Sequence, residues 1–347
     1  MQAGPQPTLP PAYYNTGDSE VMTLSRRTFS AAIASIAAPL PLIGRADDIY
    51  PSKPIRIVCP FAPGGGSDFI ARVGADLLAK GVGQPVVVDN RPGAGGTLGT
   101  EIALHTPPDG YTLLLVAGSY TVNPSLYKLK FDPVGDMTPV IQLSKGAYVV
   151  CINPAKVQAK NLEELLEYGR KNPGKLTFAS AGNGSHLHIA TEYMFGMAKV
   201  KATHVPYKGT GPAVTDLVAG NVDMLVAGTE GLMPHVKSGR LRALAVTTAQ
   251  RQAAYPDIPA VAETKGLGEY DVVAWHGLIA PKGVPPAIIA KINSALNAGL
   301  KAPELVAKLE PTGVSPAGGT SEAFGKLIQV EIPRYAKVVK DNNIKAE

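Results

Sequence analysis

A chain of 347 residues, 45% of them hydrophobic, is long enough to bury two cores and too apolar to be disordered over most of its length. Its formal charge of +5 is a mild bias, and no basic run with interleaved aromatics offers phosphate tracking and base stacking, which argues against nucleic-acid binding. Cys59 and Cys151 each sit in an apolar, strand-like run, where cysteine behaves as a small hydrophobe, and neither a disulfide framework nor a metal spacing follows from the two.

Near the N-terminus, Ser25-Arg26-Arg27-Thr28-Phe29 precedes an alanine-rich apolar run over residues 31–43, which ends at Gly44-Arg45-Ala46, a small-residue cleavage site before Asp47. This is the layout of an export signal occupying residues 1–46. The arginine pair followed by Phe29 fits a twin-arginine address, although an ordinary secretory signal can also carry two arginines. A membrane anchor fits less well, because the run is shorter than the roughly 20 residues a spanning helix needs and contains Pro39 and Pro41. Residues 1–21 are Pro-rich, polar and upstream of Met22, so translation is expected to start at Met22.

From residue 47 onward, short apolar runs alternate with helical patterns, the signature of α/β lobes with mainly parallel strands. A strand over 55–58 leads into Phe61-Ala62-Pro63-Gly64-Gly65-Gly66-Ser67-Asp68 and then a helix with Phe69, Val73 and Leu77 at helical spacing, for which Ser67 or Asp68 can cap the first turn. Three successive glycines leave backbone N–H groups able to face an anion at the positive end of a helix dipole; such a loop can also serve only to close a strand-helix connection. A dinucleotide site is disfavoured, since the glycines lack the G-x-G-x-x-G spacing, and no Gly-Lys-Ser or Gly-Lys-Thr ending marks a phosphate loop.

A strand over 86–88 leads to Asn90-Arg91-Pro92-Gly93-Ala94-Gly95-Gly96 and a helix through 101–104. The strand over 112–116 ends near Ser119 and Asn123, whose hydroxyl and amide suit a ligand or, equally, a capped turn. Residues 148–152 form a strand, Asn161 with Glu164 forms a capping box for a helix over 162–170, and residues 177–179 form the next strand. Ser180-Ala181-Gly182-Asn183-Gly184-Ser185 then opens a second glycine-rich helix start, so two such starts in different lobes can hold the two ends of one acid. A strand over 202–205, the loop Pro206-Tyr207-Lys208-Gly209 and a helix over 212–219 repeat the pattern; Lys208 either faces the ligand or is a solvated surface lysine. Asp223, before a strand over 224–227, is a candidate ligand contact that could equally orient loops or cap a turn.

These segments, followed by Ser238-Gly239-Arg240-Leu241-Arg242-Ala243-Leu244-Ala245, Pro256-Asp257-Ile258-Pro259 and Trp275-His276-Gly277-Leu278, occur in an order that resembles the Bug family, the extracytoplasmic receptors of tripartite tricarboxylate transporters. The resemblance covers about residue 50 to the C-terminus. It implies a two-lobe periplasmic binding protein fold with a cleft between the lobes: residues 47–148 and 272–347 in a discontinuous first lobe, 149–271 in the second. It further implies a small carboxylate held at Phe61, Pro63, Gly64, Gly65, Gly66, Ser67 and Asp68, largely by backbone amides and bridging water, which suits a shared headgroup on different ligand bodies. Second-lobe contacts would come from Ser180, Ala181, Gly182, Asn183, Gly184, Ser185, Tyr207, Lys208 and Gly209, with Ser119 and Asn123 nearby. Crossovers near 145–150 and 268–275 would be hinges. Helices over 285–300 and 321–339 would complete the first lobe. Family ligands include dicarboxylates, amino acids and aromatic acids. The expected partners are such an acid and the membrane subunits of a tripartite transporter, with a monomeric receptor. His186 departs from the pattern, standing where a small or apolar residue is expected.

No enzyme is expected. No G-x-S-x-G elbow is present, and Ser119 and Ser185 have no spacing that commits a histidine and an acid to them. His186 and His188 are two apart at a helix start and so do not share a face, which, with His204, argues against zinc. Neither metal nor cofactor is called for. Besides hydrolysis, the remaining alternative is a sensor that docks its closed lobes on a membrane signalling partner.

Overall fold

Short apolar runs become strands and amphipathic runs become helices in the alternation that the sequence predicts. The computed structural model describes residues 50–345, and both the export signal and the Met22 start lie outside the described residues. In chain order the elements are β1 (Ile55–Cys59), α1 (Gly66–Val82), β2 (Val86–Asn90), α2 (Thr97–Leu104), β3 (Thr112–Ala117), α3 (Ser119–Val122), β4 (Met137–Ile152), α4 (Leu162–Lys171), β5 (Thr177–Ser180) and α5 (His186–Ala198). They continue with β6 (Thr203–Pro206), α6 (Thr210–Ala219), β7 (Met224–Gly228), α7 (Thr229–Lys237), β8 (Arg242–Val246), β9 (Val273–Pro281), α8 (Pro286–Leu300), α9 (Pro303–Leu309), β10 (Val314–Pro316) and α10 (Ser321–Asp341).

Two sheets share one strand. In the first, β2, β1 and β3 are parallel neighbours, while β9 pairs antiparallel with β3 and with β4, and β10 lies antiparallel on β4. Strand β4 pairs with β9 as far as Ala147; from Tyr148 it pairs instead with β7, and from Val149 also with β8. Parallel β7, β5 and β6 complete the second sheet. The parallel prediction therefore holds for β2, β1 and β3 at one end of the strand order and for β7, β5 and β6 at the other; between them β4 leaves the first sheet and β9 returns to it, so these two crossing strands run in opposite directions.

Local chemistry sets the element ends. Helix α4 begins at Asn161, whose side chain accepts the Glu164 N–H at 2.9 Å, while Glu164 Oε2 accepts the Lys160 N–H at 2.8 Å, one residue earlier than a strict capping box. Helix α1 starts at Gly66 with Gly65 as an uncapped N-cap, so Ser67 and Asp68 lie inside the first turn and neither caps it. Its buried stripe of Ile70, Ala71, Ala75 and Leu78 packs with Ile55, Ile57, Leu113 and Leu115 in one core; each large aliphatic residue so buried contributes about 1.5–3 kcal/mol. Cys59 and Cys151 are both free and buried, on different sheets. Burial pushes the Cys59 thiol up to about 12 and the Cys151 thiol up as well.

Candidate functional site

The turns after β1, β3, β5, β6 and β7 leave the carboxyl ends of their strands, where ligand crevices form in α/β sheets, and they meet across the cleft. The Ala62 N–H donates to Lys208 O at 3.0 Å, and the Tyr127 hydroxyl donates to Asn183 O at 2.6 Å. Gly209, at φ 147°, comes so close to the neighbouring loop that a β-carbon would sit 2.8 Å from Ala62 N. Between these contacts the cleft narrows to a cavity of about 30 Å³. That is room for little more than a water molecule.

Of the predicted site residues, Phe61, Gly66, Ser67, Ser119, Ala181 and Ser185 line this cavity. Gly182, Asn183, Tyr207 and Lys208 line a neighbouring opening of about 320 Å³ that shares Phe61 and Ala181 with it. Lys208 has an exposed side chain and contributes its carbonyl to the cross-cleft bond. Gly65 is buried beside Thr210, and Pro63 O lies against Gly211.

Other predicted residues hold the loops. Asp68 turns back into the β1–α1 loop: its oxygens accept from Gly64 N–H at 3.1 Å, Asn90 Nδ2 at 3.0 Å, and Arg72 Nε and Nη2, both at 3.0 Å. Burial raises its pKa, but the bonds from Arg72, Gly64 and Asn90 outweigh that and hold the carboxyl below its ordinary value. Ser180 Oγ donates to Gly182 O at 3.1 Å and lies 2.6 Å from His204 Nε2, closing its own turn. Asn123 donates to Gly95 O at 3.2 Å behind the cavity. Gly184 donates its N–H to His188 Nδ1 at 3.3 Å. Asp223 accepts from both the N–H and the hydroxyl of Thr177 at 2.8 Å, at the opposite end of β5 from the cleft.

The cavity residues that the sequence reading did not place in the site include Tyr148, His186, Thr210, Glu230 and His276, all with polar side chains. His276 lies 3.2 Å from Ser67 Oγ through Nε2 and 3.2 Å from Ser144 Oγ through Nδ1, and burial lowers its pKa to about 4. His186 bridges the Tyr148 hydroxyl at 2.9 Å and the Tyr335 hydroxyl at 2.5 Å, tying α5 to β4 and α10. Burial lowers His186 to about 3, helped by Arg334 and His276. Glu230, in the first turn of α7, is pushed up to about 7 by burial, against a smaller opposing effect from its own amide. The motif around residue 275 contains His276, the predicted contact Gly209 adjoins Thr210, and the predicted hinge over 145–150 contains Tyr148, but no sequence signal pointed to Glu230.

His188 and His204 stack on each other at 4.0 Å, away from His186, and no group of three or more His, Cys, Asp or Glu among the described residues could hold a metal ion. Beside His276, Trp275 is buried edge-on against Phe324, with ring centroids 5.8 Å apart, and its Nε1 has no hydrogen-bond partner among the described residues.

Two mainly α/β lobes, joined by crossing strands and closing on hydroxyls, imidazoles and an uncapped helix start, define a two-lobe solute-binding protein of the periplasmic class rather than an enzyme. Residues 70–344 match the family described as Tripartite tricarboxylate transporter family receptor, and the chain belongs to that family. It is similar to the UPF0065 protein in the tcbD-tcbE intergenic region of Pseudomonas sp. (strain P51), with 36% identity over 328 residues, 94% of this chain and 97% of the relative. Among solved structures it is similar to the periplasmic binding protein BugD, with TM-score 0.82, 32% identity, and coverage of 86% of this chain and 100% of that one. It is also similar to Rpa4515 of R. palustris, solved with adipate, with TM-score 0.82, 31% identity, and coverage of 85% and 99%. No helix among the described residues is long and apolar enough to cross a membrane.

Proposed function

We propose that this receptor captures a small carboxylate by lobe closure and delivers it to the membrane subunits of a tripartite tricarboxylate-type transporter. The observation that carries this reading is the start of α1: it has no side-chain cap, Gly66 and Ser67 line the cavity, and the acid of the same turn, Asp68, is bound to Arg72 and Asn90 instead. The orphan N–H groups of that helix start supply donors and a positive dipole end to an anion. The adipate in the similar R. palustris protein agrees with an acid ligand.

In this reading residues 47–148 and 272–347 form one lobe and 149–271 the other, the receptor acts as a monomer, and closure bends the chain at the β4 partner change and at the return into β9. Export would use the signal in residues 1–46, with translation from Met22; a peptide from residues 1–21 in mass spectra of the unprocessed precursor would rule out that start. The test of capture is thermal unfolding against a panel of mono- and dicarboxylates, with the matching amides as neutral controls. A ligand that binds only the folded state raises the midpoint with concentration. We expect a rise with an acid and none with its amide; equal rises with both would overturn the carboxylate assignment.

A further inference from the structure

We propose that Glu230 selects a zwitterion: an amino acid whose ammonium group lies against this carboxylate while its own carboxylate meets the uncapped start of α1. The inference rests on the carboxylate-capture reading above and narrows its ligand class. Glu230 is the second residue of α7, two after the end of β7, and lines the cavity. Its carboxyl lies against the first residue of α1, so closely that a β-carbon at Gly66 would overlap Glu230 Oε1.

No lysine or arginine lines that cavity, whose remaining polar lining consists chiefly of hydroxyl groups and the imidazoles of His186 and His276. Burial keeps both imidazoles neutral near pH 7. The rise of the Glu230 carboxyl to about 7, set by burial and opposed only by its own amide, agrees with a site in which no cation balances it. Any ligand carboxylate at the α1 start lies near Glu230 in a poorly screened pocket; an ammonium group on the same ligand offsets that repulsion, whereas the second carboxylate of a plain dicarboxylate adds to it. A neutral end group would leave the carboxylate unpaired as the cleft shuts. The contact between Glu230 and the α1 start also sets the spacing of the ligand's charges. They must be only a few bonds apart, as the α-ammonium and carboxylate of an amino acid are.

The test is titration calorimetry of the full chain with the common amino acids and their des-amino counterparts, such as alanine with propionate and aspartate with succinate, at about pH 8 so that Glu230 is ionised. At least one amino acid is expected to bind about tenfold or more tighter than its counterpart, and Glu230→Gln is expected to bring that ratio close to one. The wild-type comparison stands on its own should the variant fold poorly. Des-amino acids binding as tightly as amino acids, or a preference that survives in Glu230→Gln, would overturn the zwitterion assignment and leave carboxylate capture intact. If no acid of either kind binds, the capture reading falls and takes this inference with it.

Discussion

The turns over residues 63–67 and 182–185 are both glycine-rich, and each leads from a parallel strand into a helix that starts at the cleft. At α5 the turn satisfies itself: the Ser185 hydroxyl accepts the His188 N–H at 3.3 Å, His188 Nδ1 accepts the Gly184 N–H at 3.3 Å, and Gly182 O accepts the Ser185 N–H at 3.0 Å. At α1 no side chain caps the helix, and Asp68 is bound by Arg72, Asn90 and the Gly64 amide. Glycine content marks where a helix can start at a cleft. The side chains around the two starts differ: at α5 those of Ser185 and His188 take up the His188 and Gly184 amides, and at α1 no side chain caps the helix.

Mild acid should separate the two turns most strongly. His186 and His188 at α5 have folded pKa values of about 3 and 4, both lowered chiefly by burial. In the unfolded chain they sit near 6.5. The unfolded state therefore binds protons first as pH falls, so the stability these groups contribute is complete above about pH 6.5 and is lost toward pH 4, by up to about 1.4 kcal/mol per pH unit for each. Asp68 behaves oppositely in range: its depressed carboxyl contributes above its unfolded pKa and loses that contribution only below the ordinary carboxylate range. Urea unfolding between about pH 6.5 and 4 should show a loss of several kcal/mol, reduced in His188→Gln. A flat profile would mean that the histidines are not held neutral.

The next largest effect is expected at Gly66→Ala. The new methyl group meets the end of the Glu230 side chain rather than backbone, so the fold should lose no more than about 1 kcal/mol while ligand affinity, read by calorimetry, falls about 10- to 100-fold, the range that overpacking at a closed contact gives. Retained affinity would show that the α1 start is not where the ligand sits. The smallest effect belongs to Ser185→Ala, which removes the α5 cap and should cost about 1 kcal/mol in thermal unfolding. A larger loss of affinity than at Gly66→Ala would reverse the comparison and make α5 the ligand-holding helix.

Much of this was legible in the sequence. Strand ends fell within a residue or two of prediction wherever an apolar run was bounded by glycine, proline or a polar cap, as at β1, β3, β5 and β7. The first part of β4 was not, because Pro139, Gln142 and Lys145 break its pattern and its ladder is interrupted by register shifts. Asp68 resembles any acid at a helix start until Arg72 and Asn90 are seen to hold it. Glu230 is the converse: a lone acid in a first turn is the ordinary complement of a helix dipole, and only the approach of Gly66 from a distant strand-helix turn makes it part of a cavity wall. His276 lies in an apolar run where a histidine reads as core, and its partners Ser67 and Ser144 are far away in sequence.

Trp275 is the chain's only tryptophan, and it stands on the returning strand, one residue from the cavity-lining His276, with its indole sealed against Phe324 and its Nε1 without a hydrogen-bond partner among the described residues. The molecule thus carries a single tryptophan as a built-in optical probe beside the cavity. A shift in its emission when solute binds would report lobe movement without any label, and the same signal, followed through acid, would report when the neighbouring imidazole takes up its proton.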